Sequence, residues 1–211
     1  MTSAPAFSTH ERVLSVAAEL TLEVGWAGVT MGKLADRVGV SRQTVYNEVG
    51  SKAQLAEEMV LAELAKFLAV VDRAFDERPH DLVAAIRAAS RGVLELARSN
   101  ALLQAVVSAS YGAETELLPL LTTHNDALVL TATDVVRRRV AAYHVDIDDR
   151  HLDAAIDMVV RLVLSHVVHP VREPQETADD IAWICSRTLR PDVGSGAGWD
   201  VGWDVGSDVR G

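Results

Sequence analysis

Several things are scarce in this chain. Its 211 residues hold one cysteine, Cys185, which excludes an intrachain disulfide framework and a cysteine-rich zinc site and suits a reducing cytosol. Aromatic residues are only 5% against 49% hydrophobic, so the core must be built from Ala, Val and Leu, a composition that favours packed helices. The most apolar run, Met158 to Val168, is broken by Arg161 and His166, and the opening Met-Thr-Ser-Ala-Pro has no basic region followed by an apolar stretch. Membrane insertion and secretion are therefore not expected, and a cytoplasmic location is. A Gly-rich phosphate loop, a Gly-x-Ser-x-Gly elbow and a His-Glu-x-x-His pair are missing too, so no enzyme chemistry and no cofactor is indicated. His166-Val-Val-His169 has metal-capable spacing, but no third ligand lies in sequence reach, and histidines at a helix C-terminus are favoured by the dipole anyway. The formal charge of −10 excludes a protein coated in nucleic acid and leaves room for a small basic face.

Glycine divides what is present. Five glycines fall in the first fifty residues and six in the last eighteen, with only Gly92 and Gly112 between; residues 53–169 hold just two prolines, Pro79 and Pro119. That middle stretch can carry long helices. Residues 1–52 balance five basic side chains against five acidic ones, so the entire negative excess belongs to the remainder. A neutral, turn-rich head at 8–52, an acidic helical body at 53–190 and a tail at 191–211 result. The tail's degenerate Gly-Trp-Asp-Val repeats have no helical period and read as low-complexity and disordered.

Caps and apolar stripes then predict about nine helices and no strand. Ser8-Thr-His-Glu11 is a capping box opening a helix over about 9–24 that ends at Gly25. Thr30 caps a short second helix stopped by Gly39, Ser41 caps a third, and Ser51 caps a fourth running to about Asp76. Later stripes place helices near 81–98, 101–110, 115–143 with a break around Pro119, 149–169 and 176–189. The run Arg137-Arg138-Arg139 reads as a solvated, dipole-complementing end to its helix.

The segment Val29–Leu55 is the most informative. Two short capped helices joined by Gly39-Val40 make a helix-turn-helix, whose second helix can enter the major groove. With Val45 pointing at the core, Val49 lies about 40° away and Gln43 and Asn47 about 160° and 200° away at about 100° per residue. The outward face is thus Gln43 and Asn47 flanked by Tyr46 and Thr44, groups that pair with base edges and phosphates, where a merely solvated face would carry Lys and Glu.

Thr30 to Leu55 resembles the N-terminal DNA-binding signature of TetR-family transcriptional repressors, with Thr30, Leu34-Ala35, Gly39-Val40-Ser41, Thr44, Tyr46, Ser51-Lys52 and Leu55 at family spacing and the chain's look actinobacterial. The resemblance covers roughly residues 8–57. It implies an all-α fold with a three-helix DNA-binding head and a helical ligand-binding and dimerisation body. Thr30, Ser41 and Thr44 would then contact DNA phosphates, Arg42, Gln43, Tyr46 and Asn47 would read bases, and Lys52 would clamp a phosphate. The chain departs from the pattern at Glu48 and Val49, where the family has an aromatic or His followed by Phe. Val49 suits the same core site; Glu48 puts an acid near the phosphates, where it can pair with a basic neighbour, and Lys33 can supply the lost attraction.

The same resemblance implies an effector pocket among helices four to seven and a two-fold pairing of the last two helices. Two stripes, one of Ala155, Val159, Leu162, Val163 and His166 and one of Ile181, Ile184, Cys185 and Thr188, are candidates for the dimer interface. For the pocket the chain offers the aliphatic residues Leu61, Leu64, Leu68, Val93, Leu94, Val106, Val107 and Leu128 with polar groups beside them at Arg91, Tyr111, His124 and Asn125. These features favour a ligand-responsive repressor that binds a near-palindromic stretch of double-stranded operator DNA as a homodimer and is released by a small apolar effector, such as a fatty acid or acyl compound. The other reading is a helical small-molecule carrier whose head does not read DNA. Specific binding to its own upstream region separates the two.

Overall fold

The computed structural model describes residues 8–108, 117 and 126–189, and among them there are nine helices and no strand. In chain order these are α1 Thr9–Gly28, α2 Met31–Val38, α3 Arg42–Val49, α4 Lys52–Asp76, α5 Leu82–Ser99, α6 Ala101–Ser108, α7 Asp126–Val140, α8 Asp149–Val168 and α9 Pro174–Thr188. The break expected near Pro119, the first part of the helix expected over 115–143 and the tail at 191–211 lie outside the described residues.

The helix starts follow the capping chemistry. Ser8 Oγ accepts from the Glu11 N–H at 3.1 Å while the Ser8 N–H donates to Glu11 Oε2 at 2.8 Å. Ser51 and Gln54 repeat this box at α4, and Asp81 and Asp148 cap α5 and α8. One boundary differs from the sequence reading. The helix breaks at Gly25, with φ 73° and ψ 160°, but the chain makes one further turn to Gly28. That turn folds Trp26 into the core, where it is 3% exposed, a tertiary gain that no local signal announces.

Two apolar clusters hold the molecule. In the head, α1 (Val13, Ala17, Leu20), α2 (Leu34, Ala35, Val38) and α3 (Val45, Val49) pack around Trp26. Each fully buried aliphatic there contributes about 1.5–3 kcal/mol. The cluster does not stop at residue 52: Leu55, Ala56 and Met59 of α4 and Leu102 and Val106 of α6 belong to it. The body cluster takes Val71, Ala74 and Phe75 from the far end of α4 and Leu103 from α6, together with α5, α7, α8 and α9. Thus α4 and α6 are shared, and a displacement of either is felt by both clusters.

Polar ties clamp the body. Arg139 of α7 donates to Asp72 at 2.6 Å and Asp76 at 2.7 Å on α4, and Arg137 pairs with Asp153 of α8. The arginine run is therefore a set of inter-helix ties rather than a solvated end, because successive helical residues point in different directions and two of the three meet acids on neighbouring helices. Tyr143 packs edge-on against Phe75, with ring centres 5.9 Å apart, and donates to the Arg78 carbonyl at 2.8 Å. No helix among the described residues is long and apolar enough to cross a membrane.

Candidate nucleic-acid interface and effector cavity

The turn between α2 and α3 exists because Gly39 takes a left-handed conformation, φ 80° and ψ 38°, from which its own N–H and that of Val40 both return to the Ala35 carbonyl at 2.9 and 3.0 Å. Ser41 then caps α3, its Oγ accepting from the Thr44 N–H at 3.0 Å and meeting the Thr44 hydroxyl at 2.9 Å. Val45 and Val49 are buried, at 0% and 2% exposure, so the wheel is fixed and Arg42, Gln43, Tyr46 and Asn47 stand exposed. Gln43 Nε2 donates to Asn47 Oδ1 at 3.0 Å, which holds the two amides side by side one turn apart. An exposed pair of amides beside a phenol and a guanidinium can offer donors and acceptors to base edges in a major groove.

The positions expected at phosphates are placed as follows. Thr30 Oγ1 caps α2 by accepting from the Lys33 N–H at 3.2 Å, and Lys33 Nζ donates to the Gly28 carbonyl at 2.8 Å. Lys52 at the start of α4 donates to the Trp26 carbonyl at 3.0 Å, with its ammonium 4.9 Å from the centre of the Trp26 ring. Both ammonium groups keep further protons for an anion. Arg42 makes no ion pair or hydrogen bond with a described residue; its guanidinium crosses α2 at Gly32, where a Cβ would lie 2.8 Å from Nη2. By contrast Arg37 is spent on Glu23, at 2.7 and 3.1 Å, and Arg12 on the Val38 carbonyl at 2.6 Å, both holding α2 on α1. The Arg37 guanidinium holds the Glu23 carboxyl below its usual range. Glu48 does find a basic neighbour: His10 Nδ1 sits 3.1 Å from its carbonyl and 4.0 Å from its carboxylate, while His10 Nε2 is 3.6 Å from Glu58. The sequence offered no motif that singles out His10.

Within the helical body, reaching the head's apolar cluster at Met59, Leu102 and Val106, lies a cavity of about 150 Å³. Among the described residues its walls come from five helices: Met59, Val60, Glu63, Leu64, Phe67, Leu68, Val71 and Phe75 of α4; Ile86, Ala89, Ser90 and Val93 of α5; Leu102, Leu103 and Val106 of α6; Leu128, Ala132 and Val136 of α7; and Val159, Val160, Val163, Leu164 and Val167 of α8. This predominantly aliphatic lining suits an apolar guest.

Of the residues expected in the pocket, Leu64, Leu68, Val93, Val106 and Leu128 line it. Leu61 is on the outside of α4, 40% exposed, and Leu94 is buried beside a small cleft with Ala97 and His166. Arg91 is turned to the surface and pairs with Glu95 on its own helix at 2.7 Å, so it holds no polar end of a ligand in this cavity. Tyr111, His124 and Asn125 lie outside the described residues. The dimer candidates divide by direction. Val159 and Val163 face the cavity, and Ile181 and Cys185 lie in the protomer's own core, at 2% and 6% exposure, with burial pushing the Cys185 thiol up. Ala155 and His166 are half-buried. Leu162 and Ile184 are exposed, at 38% and 48%, and the sequence missed their neighbours Met158 and Trp183, at 70% and 61%. An apolar stripe reads the same whether it faces a cavity, a core or the surface, so periodicity alone merged the three.

Comparison with known proteins follows this division of the chain. Residues 13–59 match the model for bacterial regulatory proteins of the tetR family, and residues 81–187 match the model for a bacterial tetracyclin repressor C-terminal domain. The HTH-type transcriptional regulator AlkX of Mycobacterium tuberculosis is 27% identical over 174 residues, spanning 82% of this chain and 81% of that protein. The crystal structure of the TetR family repressor AlkX from a Dietzia strain, implicated in biodegradation of n-alkanes, superposes with a TM-score of 0.71 at 24% identity, over 88% of this chain and 97% of that one. The crystal structure of SCO7518 from Streptomyces coelicolor A3(2) superposes with a TM-score of 0.61 at 20% identity, over 87% of this chain and 99% of that one. With its helix-turn-helix head and its helical C-terminal domain both matched, the chain belongs to the TetR family of bacterial transcriptional regulators.

Proposed function

We propose that this protein is a dimeric, ligand-responsive repressor that holds a near-palindromic operator with two heads and leaves it when an elongated apolar molecule fills the cavity. The observation that carries the reading is the sharing of α4 and α6. Met59, Leu102 and Val106 each line the cavity and belong to the head's apolar cluster, so a guest displaces the same side chains that seat the head. The implication of the Dietzia relative in biodegradation of n-alkanes supports a hydrocarbon-like effector. Two heads are needed because one helix-turn-helix reads too few base pairs, and the exposed apolar residues of α8 and α9 supply a surface for pairing.

Coupling of the two sites is reciprocal, so an effector that weakens DNA binding is itself bound less tightly in the presence of DNA by the same factor, typically about 5–150-fold. Genome-wide mapping of bound DNA tests the reading. The expected result is a near-palindrome with half-sites about 34 Å apart, or a multiple of this spacing, on one face of the duplex. Binding without sequence preference would leave a helical ligand carrier instead.

A further inference from the structure

The charged residues of α3 are turned away from its outward face. Counted from Val45 at about 100° per residue, Arg42 and Glu48 stand about 60° to either side of the core direction. The Arg42 guanidinium crosses α2 at Gly32, and the Glu48 carboxylate lies 4.0 Å from His10 Nδ1 on α1. Gln43 and Asn47 straddle the direction opposite Val45, so the middle of the exposed face is two neutral amides. These amides are not independent. Gln43 Nε2 donates to Asn47 Oδ1 at 3.0 Å, which leaves Gln43 Oε1 as an acceptor beside the Asn47 Nδ2 donors. Turning both amides over gives the same outward complement, an acceptor next to a donor. The link also orders the two side chains before DNA arrives, which lowers the entropic cost of a contact.

We propose that the linked amides act as one reading unit that selects adenine in each operator half-site, Gln43 Oε1 accepting from N6 and Asn47 Nδ2 donating to N7. This rests on the reading of the protein as an operator-binding repressor. Adenine alone among the bases shows a donor at N6 beside an acceptor at N7 on its major-groove edge, the converse of what the pair presents. Guanine shows two acceptors, N7 and O6, one of which would face the amide carbonyl and repel it. Thymine offers O4 and a methyl group, and cytosine a donor at N4, so each leaves half of the pair unmatched.

Selection of preferred sites by the full chain from a random duplex library, followed by titration of the selected site, tests this. Each half-site should hold an adenine whose A·T pair, replaced by G·C, weakens wild-type binding by about 5- to 150-fold. Replacing that adenine by 7-deazaadenine keeps the Watson–Crick pair and removes only the N7 acceptor, and should weaken wild-type binding by about two- to tenfold, the worth of one hydrogen bond. Asn47→Ala should bind the adenine and 7-deazaadenine sites alike, within about twofold, because the donor to N7 is gone. Gln43→Ala should narrow the preference for adenine over guanine, because the carbonyl that repels O6 is gone. Wild-type binding that tolerates 7-deazaadenine at every adenine of the selected site overturns the adenine assignment, needs no variant to fold, and leaves the repressor reading standing. A guanine as the base whose discrimination these two variants relax overturns it in the same way. If selection yields no preferred sequence, the operator reading fails and this inference with it.

Discussion

Lys52 and Trp26 meet twice: the ammonium donates to the Trp26 carbonyl at 3.0 Å and lies over the indole, 4.9 Å from its centre. The contact joins the start of α4 to the end of α1 and holds a positive charge at the edge of the head. Lys52→Ala should therefore act in two ways. It should weaken all DNA sequences alike and flatten the slope of log affinity against log salt by about one unit per subunit. It should also cost about 1–3 kcal/mol of head stability, read by denaturant unfolding. A variant with an unchanged salt slope would remove Lys52 from the phosphate contacts.

Tyr46 and Asn47, the proposed base readers, are both exposed, and neither belongs to the head's core. Tyr46→Ala and Asn47→Ala should each cost about 1–3 kcal/mol of operator binding and relax discrimination against mutated sites, with circular dichroism unchanged. Gel-shift titrations on wild-type and mutated operators would show it. Unchanged discrimination in both would move base reading elsewhere.

Gly32→Ala separates stability from recognition. The new Cβ falls 2.8 Å from Arg42 Nη2, so the guanidinium must swing off α2, while alanine suits a helix better by about 1 kcal/mol. The melting temperature should hold or rise and operator affinity should fall. A fall in both would mean that the helix, not Arg42, was disturbed.

Assembly is tested on the exposed side chains. Leu162→Arg and Ile184→Arg should split the dimer in sedimentation yet keep helical content, each charge costing several kcal/mol only when the interface buries it. Ile181→Arg, at a position 2% exposed within one protomer, should unfold the body instead. Wild-type protein sedimenting as a monomer at micromolar concentration would refute the dimer.

Asp148 caps α8, and its carboxyl is held below the usual range first by the His151 side chain and then by the His151 N–H. A depressed carboxyl stabilises the fold above its unfolded pKa and loses that contribution as pH falls through the folded value. Asp148→Ala should thus lower the melting temperature near neutrality, with the gap to wild type closing in acid below the ordinary aspartate range. A gap independent of pH would mean that the cap acts without its charge.

The head was largely legible in the sequence because its information is local. A cap such as Ser41, a left-handed stop such as Gly39 and a wheel set by Val45 act within a few residues, so the helix-turn-helix, its outward amides and the family all follow from Val29–Leu55. The extra turn that buries Trp26, the partners of His10 and the inward use of Lys52 did not follow, since each depends on residues at least 26 positions away or on packing that no cap encodes. In the body, helix positions were set by period and caps, but the destination of each apolar stripe was decided only by which helix lay opposite. Val159 went to a cavity, Ile181 to the core and Leu162 to the surface, because burial is a property of the assembled layers and a single helix carries only the stripe.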